Sequence, residues 1–156
     1  MKKLDLNIEL KNPEKEPMLD DDGHVVTEDS IDDKGQPYKD AKGNVIKKTV
    51  LKTVSPIESA LKWIENSIVR VMNGTNIDRR PTKQPKLTEK AKWRRLSEAL
   101  ENHKDGIVIL EEEDYKYLNE TFHKVEQIAD PYVDDILFAI SDKIESAENY
   151  NPNAKE

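Results

Sequence analysis

The segment from Leu87 to Ile144 constrains the fold most, because it joins a tight turn, a short apolar run and an acidic helix start. Residues 105–106 are Asp-Gly, a pair typical of tight turns, and residues 107–110 are four consecutive apolar residues. Residues 111–114 then place four carboxylates in or just before the first turn of a helix, where the positive end of the helix dipole stabilises them. This order predicts a helix, a short strand and a second helix.

Four helices are predicted between residues 55 and 145, from apolar residues that recur at steps of three and four. The first begins at Ser55-Pro56, because serine is a good N-cap and proline is favoured at the first helical position. Thr88 is the expected cap of the second helix, and Asp130-Pro131 ends the third and begins the fourth. The residues expected to face the core are Ile57, Leu61, Ile64, Ile68, Val71, Ala91, Leu96, Ala99, Leu100, Tyr115, Leu118, Phe122, Val125, Ile128, Val133, Ile136, Leu137, Ile140 and Ile144.

The N-terminal third of the chain shows strand and turn patterns instead. Apolar residues alternate with polar ones from Leu4 to Leu10, which indicates a half-buried strand. The motif Asp-x-x-Gly occurs at residues 20–23, 32–35 and 40–43, and the longer segments 17–26 and 37–46 align with an offset of 20 residues. Because Asp-x-x-Gly favours tight turns, we predict two or three small hairpins between residues 17 and 54, the last leading into a strand over residues 45–54.

These patterns together predict an α+β fold, with an N-terminal β-hairpin region followed by a bundle of about four α-helices. The expected domains are a hairpin-rich region over 1–54 and a helical domain over 55–145. A basic linker that contains two prolines is expected at 73–86 within the helical domain. Residues 146–156 are predicted to be a flexible tail.

Composition limits the classes of protein and of chemistry. The 156 residues are 37% charged and 35% hydrophobic, against about 25% and about 45–50% in ordinary globular chains, so a modest core is expected. Cysteine is absent, which excludes disulfides, thiolate metal sites and a cysteine nucleophile. No signal-peptide run and no stretch of about 18 apolar residues occurs, so we expect a soluble, cytoplasmic protein with no membrane contact.

Catalytic motifs are missing from the sequence. The three histidines His24, His103 and His123 have no metal-binding spacing, and the nucleophile-elbow, phosphate-loop and dinucleotide glycine motifs do not occur. We therefore expect a non-enzymatic protein that needs no cofactor.

One calcium-binding hypothesis concerns the loop around Gly106. If Gly106 is the sixth position of a twelve-residue calcium loop, an apolar residue and a glutamate stand where the motif has them, and the loop resembles a degenerate EF-hand. The ligands would then be Glu101, His103, Asp105, the carbonyl of Ile107, and Glu112. The other interpretation, which we favour, is a structural turn between helix and strand. The acidic cluster at 20–22 is interpreted as a solvated turn, because its twelfth position is Ile31 rather than glutamate.

Charge is distributed unevenly along the chain. The net charge of the whole chain is −7, whereas residues 87–156 carry 9 basic and 17 acidic side chains, a net charge of −8. Residues 79–95 are the only basic stretch, with Trp93 inside it. That stretch could bind a phosphate backbone with Trp93 stacking on bases, or form a linker whose charges balance an acidic domain. We favour the linker, and the acidic C-terminal part argues against nucleic acid as a partner.

Candidate residues for binding a protein partner are chosen by type, because large aromatic residues and arginines lead the energetics of interfaces. Each of them could instead pack in or beside the core, which is our preferred interpretation for Trp63 and Tyr115. The candidates are Trp63, Met72, Arg79, Arg80, Trp93, Tyr115 and Tyr117.

Several segments resemble small uncharacterised proteins of tailed bacteriophages and prophages. They are the opening residues 2–7, the Pro-Met-x-Asp-x-Asp-Gly turn at 17–23, the helix after Ser55, and the order of residues 105–110 and Asp130-Pro131-Tyr132-Val133 in the C-terminal half. The resemblance implies a phage-encoded accessory or regulatory protein that acts by protein–protein interaction with a host or phage partner. Two alternatives stay open: a virion or assembly component, which would form a homo-oligomer, and an acidic DNA mimic that inhibits a host protein.

Overall fold

The computed structural model describes residues 1–75 and 80–153, and the chain divides into two compact units. The helical unit comprises Met1–Asn12 and Ser55–Glu156, and the hairpin unit comprises Pro13–Val54. The predicted α+β class is confirmed, with four helices and several short antiparallel strands. The predicted boundary after residue 54 agrees with the division, but the first twelve residues belong to the helical unit, because their strand pairs there.

The helices and strands have the following bounds in chain order. The helices are α1 (Pro56–Met72), α2 (Leu87–Glu101), α3 (Glu112–Phe122) and α4 (Pro131–Glu145). The strands are β1 (Lys2–Asp5), β2 (Lys15–Pro17), β3 (Thr27–Asp29), β4 (Lys47–Thr49), β5 (Leu51–Thr53), β6 (Ile107–Leu110) and β7 (Glu148–Asn149).

The sheet of the helical unit has the order β6-β1-β7 and is antiparallel throughout. Leu4 of β1 stands opposite Val108 of β6, and both side chains are buried. The predicted flexible tail over 146–156 is therefore wrong for residues 148–149, which form a strand on the other side of β1. Tyr150 extends this pairing, since its N–H donates to the carbonyl of Met1 at 2.9 Å.

Local chemistry sets the helix starts at two of the three predicted caps. The Ser55 hydroxyl accepts a hydrogen bond from the N–H of Glu58 at 3.1 Å, and the Asp130 carboxylate accepts one from the N–H of Tyr132 at 2.9 Å. Thr88 is not a cap, because the carbonyl of Lys86 already accepts the N–H of Lys90 and the helix begins at Leu87.

Helix α3 ends earlier than the apolar periodicity predicts. The N–H of Lys124 donates to the carbonyl of Thr121, and that of Val125 donates to the carbonyl of Phe122. These hydrogen bonds join residues three apart, as in a 3₁₀ turn, instead of four apart as in an α-helix. The His123 ring contacts the carbonyl of Asn119 at 2.6 Å, which satisfies one of the terminal groups of the helix. Ile128, expected to face the core, is consequently 65% exposed.

The core lies entirely in the helical unit and draws on all four helices and on both paired strands β1 and β6. Among the residues predicted to face inward, Ala91 lies on the exposed side of α2. The buried apolar residues are Leu4, Leu6, Ile8, Ala60, Ile64, Ile68, Met72, Leu96, Leu100, Val108, Leu110, Leu118, Phe122, Ile136, Ile140 and Ile144.

The hairpin unit contains the three predicted Asp-x-x-Gly turns, all with one geometry. In the first, one carboxylate oxygen of Asp20 accepts the N–H groups of Asp22 and His24 at 3.0 and 2.9 Å. The N–H of Gly23 donates to the carbonyl of Asp20, and its φ of 80° is one that glycine adopts readily. The turns at 32–35 and 40–43 repeat these bonds, so the hairpin prediction is confirmed.

Two closed triangles of backbone hydrogen bonds join these hairpins. In the first, the N–H of Met18 donates to Val50, that of Val50 to Val26, and that of Val26 to Met18, at 2.8–2.9 Å. The second triangle repeats this arrangement with Ser30, Ile46 and Tyr38. The predicted strand over 45–54 is interrupted at Val50, because the N–H and the carbonyl of Val50 bond to two different segments.

Candidate functional site

The candidate functional site is the surface of the hairpin unit. None of residues 13–54 is buried, so turns, backbone triangles and short ladders hold this unit together instead of a core. Large apolar side chains are nevertheless present, and their exposed fractions run from 39% to 56%. We call them the apolar set: Met18, Leu19, Val25, Ile31, Tyr38, Ile46 and Leu51.

Strand pairing places some members of the apolar set opposite other apolar residues. Leu19 stands opposite Val25 in an antiparallel bridge, and Leu51 stands opposite Pro17 between β5 and β2. Residues directly opposite each other in an antiparallel pair project from the same face. The unit therefore presents small apolar pairs to solvent rather than single scattered side chains.

Ion pairs cross both two-stranded ladders of the hairpin unit. Lys52 of β5 pairs with Glu16 of β2 at 3.1 Å, and Lys48 of β4 pairs with Glu28 of β3 at 3.3 Å. Lys47 also pairs with Asp29 across the second ladder. In every one of these pairs the acidic residue comes from the earlier strand and the lysine from the later one.

Four of the candidate partner-binding residues chosen by type pack in or against the core of the helical unit. Met72 is 5% exposed, and Trp63 and Trp93 are partly buried against the core. The Tyr115 hydroxyl donates to the carbonyl of Ile144 at 2.7 Å, and Lys2 lies 5.3 Å from the centre of its ring. These contacts favour the packing interpretation for all four residues.

Tyr117 lies beside an open groove of about 330 Å³ between α2 and α3. Burial raises the pKa of its phenol above the usual value, and the negative charge of Glu89 acts in the same direction. Charged side chains supply the rest of the lining, namely Lys92, Arg95, Glu113, Lys116 and Glu120. The phenol is thus neutral near pH 7 and adds an apolar ring to a charged groove.

The arginines of the basic stretch at 79–95 differ in their surroundings. Arg79 lies outside the described residues, and Arg80 is exposed. Arg94 pairs with Glu98 at 3.2 Å, and Arg95 lies 3.7 Å from Asp114. Because these two arginines have acidic neighbours and Trp93 packs on the core, the structure favours the linker and helix interpretation over a nucleic-acid surface.

The loop around Gly106 is a two-residue hairpin turn. The N–H of Lys104 donates to the carbonyl of Ile107 at 3.0 Å and the reverse bond is 2.9 Å, with positive φ at Asp105 (53°) and Gly106 (83°). The Ile107 carbonyl, one of the proposed calcium ligands, therefore already accepts a hydrogen bond. His103 accepts the N–H of Gly106 through Nδ1 at 3.1 Å.

Of the remaining proposed calcium ligands, Glu112 contacts another group through its side chain and Asp105 through its backbone. A Glu112 carboxylate oxygen lies 3.2 Å from the amino group of Met1, and the Asp105 carbonyl accepts the side-chain amide of Asn7 at 3.0 Å. Asn7 also donates to Asp5, and its backbone N–H lowers the pKa of that carboxyl. Glu101 lies exposed at the end of α2.

We expect a calcium titration of the full chain to give no binding heat at millimolar calcium, because His103 and the Ile107 carbonyl bond within the turn and Glu112 pairs with the amino group of Met1. Amide chemical shifts of residues 101–112 should stay unchanged in the same titration. A one-site heat that Glu112→Gln removes would contradict this geometry. Shifts confined to Asp20, Asp22 and His24, which form an exposed three-ligand cluster, would locate weak binding elsewhere.

Acidic side chains of the helical unit bear on the DNA-mimic alternative. Glu113 and Glu120 are 85% and 57% exposed in their side chains, but they lie 3.8 and 4.0 Å from Arg95 and Lys116. Partial neutralisation by neighbouring cations makes this surface a weaker imitation of a phosphate backbone than the net charge alone indicates.

Comparisons with known proteins add no family to this description. No family model, no curated protein and no solved structure matches the chain. In the described ranges 1–75 and 80–153, no helix is both long and apolar enough to cross a membrane. The resemblance to phage proteins stays a hypothesis.

Selecting residues by type missed the apolar set of the hairpin unit. A signal for it exists in the sequence. Apolar residues flank each Asp-x-x-Gly motif, but they do not recur at the spacing of a helix or strand with one buried face. It also missed Tyr132 and Phe138 of α4, which are 62% and 69% exposed. Those two belong to a helix whose other face is buried, so the apolar periodicity of α4 concealed them.

Proposed function

We propose that this chain is a non-enzymatic, phage-encoded accessory or regulatory protein that acts in the host cytoplasm by binding a protein partner through its hairpin unit. The observation that carries the proposal is the exposed apolar set on a unit with no buried residue. The phage origin rests on the resemblance described above.

The energetics of the hairpin unit support binding as its role. Ordering each residue costs about 1–2 kcal/mol of backbone entropy, and burial of apolar surface is the main term that offsets such costs. The hairpin unit leaves its apolar set in solvent, so the free energy that those side chains can supply is still available for association. A partner that covers apolar pairs such as Leu19 and Val25 would gain it.

Capture of partners from a host lysate on immobilised full-length protein tests the proposal. The test variant carries Leu19→Ser, Ile31→Ser and Tyr38→Ser, all on the hairpin unit, and it keeps the three turn aspartates. We expect it to lose at least about nine-tenths of the protein that the wild type retains specifically, because few interface residues supply most of the binding energy.

A matched control carries Tyr132→Ser and Phe138→Ser, which remove exposed apolar residues of similar size from the helical unit. It should retain the partner at the wild-type level. If the control loses the partner and the hairpin variant keeps it, the binding surface lies on α4 and the proposal is wrong.

A further inference from the structure

The two strands of the β3–β4 ribbon carry opposite charge. Strand β3 reads Thr-Glu-Asp and strand β4 reads Lys-Lys-Thr, and all six side chains are exposed. Glu28 stands opposite Lys48 on one face, and Asp29 stands opposite Lys47 on the other. The ribbon therefore has an acidic strand and a basic strand, and this polarity is the same on both of its faces.

Both strands of this ribbon are edges of their sheet. Within the hairpin unit the sheet has two strands, and backbone hydrogen bonds flank the ladder at both ends, from Val50 to Val26 and from Ser30 to Ile46. Bonded and non-bonded positions alternate in an antiparallel pair, so Glu28 and Lys48 bond to each other across the ribbon. The N–H and carbonyl groups that point outward belong to Thr27, Asp29, Lys47 and Thr49.

We propose that the ribbon adds edge to edge onto the ribbon of a second copy of this chain, with the acidic strand β3 of one copy against the basic strand β4 of the next. The inference goes beyond the proposed function, because it uses the charged ribbon of the hairpin unit rather than the apolar set. Antiparallel addition continues the sheet and satisfies the outward backbone groups of both strands.

Charge favours pairing of β3 with β4 of the next copy over pairing of β3 with β3 or of β4 with β4. Pairing β3 with β4 of the next copy in the native register sets Glu28 beside a lysine on one face and Asp29 beside a lysine on the other, so charges alternate along each row. Pairing β3 with β3, or β4 with β4, sets like charges side by side, which is destabilising. Contact between two different surfaces gives a head-to-tail assembly that grows or closes into a ring.

Sedimentation velocity of the full chain over a range of concentrations at low salt tests the inference with three variants. The first carries Glu28→Lys and Asp29→Lys, and the second carries Lys47→Glu and Lys48→Glu. The third carries all four changes, so it keeps the ion pairs within the ribbon and exchanges the charges of its two strands.

The wild type should self-associate, and high salt should weaken the association because these charges are exposed and screened. Each two-residue variant should associate at least about tenfold more weakly than the wild type. An equal mixture of the two should recover association, since one then supplies acidic strands and the other basic ones. The exchanged variant should associate like the wild type, because it again offers one acidic and one basic strand on each ribbon.

The exchanged variant also guards against loss of folding, because its internal ion pairs are intact. A wild type that stays monomeric at every concentration would overturn the inference, as would an exchanged variant that stays monomeric where the wild type associates. Neither result bears on the proposed function, because the capture experiment measures retention of a different protein. Loss of the captured partner in the apolar variant with no self-association would uphold the proposed function and remove the second copy as its partner.

Discussion

Replacing Gly106 by alanine should lower the free energy of unfolding of the helical unit by about 3 kcal/mol. Gly106 has a φ of 83°, which L side chains rarely adopt, and it lies buried in the turn before β6. A Cβ there would lie 2.8 Å from the side-chain nitrogen of Asn7 and 3.0 Å from the side chain of Ile57. The change therefore adds backbone strain and displaces the amide that bonds to Asp105.

Urea unfolding followed by tryptophan fluorescence measures this loss, because both tryptophans lie in the helical unit. Asp105→Asn is the matched control: it is the neighbouring turn residue, it is exposed, and asparagine tolerates its φ of 53°. The control should stay within about 0.5 kcal/mol of the wild type. Equal stabilities of the Gly106→Ala protein and the control would contradict the described turn.

Replacing Leu4 by alanine should lower the same free energy by about 3 kcal/mol, the middle of the range for buried leucines. Leu4 is fully buried in β1, the central strand of the sheet, and stands opposite Val108. The measurement also tests whether the first residues of the chain belong to the helical unit. If they formed a separate domain, Leu4→Ala would not change the free energy of unfolding reported by the two tryptophans.

Leu19→Ala is the matched control for this loss, since it removes the same atoms from a side chain that is 56% exposed. It should change the free energy of unfolding by less than about 0.5 kcal/mol. A Leu4→Ala protein as stable as the Leu19→Ala protein would show that β1 does not contribute to the core.

Features set by neighbouring residues could be predicted from the sequence. Ser55 and Asp130 cap helices because their side chains reach the first N–H groups, and each Asp-x-x-Gly turn is complete within five residues. The apolar run at 107–110 also forms the expected strand, although its partner β1 is distant in sequence. Thr88 is not a cap because the helix already begins at Leu87, with Lys86 at the cap position.

Features that join distant segments could not be predicted from the sequence. Leu4 pairs with Val108 and Met18 bonds to Val50, and no local pattern specifies either partner. The strand at 148–149 pairs with Lys2 and Lys3 of β1, and no local pattern indicates that partner. The same limit applies to the candidate site, since residue type identified Trp63 and Met72 as anchors whereas their burial depends on the packing of α1 in three dimensions.

Amide hydrogen exchange of the full chain, free and saturated with its captured partner, tests the central claim most directly. The account predicts that binding slows amide exchange in the hairpin unit, at the strands and hydrogen-bond triangles between residues 17 and 53. Exchange rates in the four helices should not change. Slower exchange confined to α2, α3 or α4 would place the binding surface on the helical unit and contradict the account.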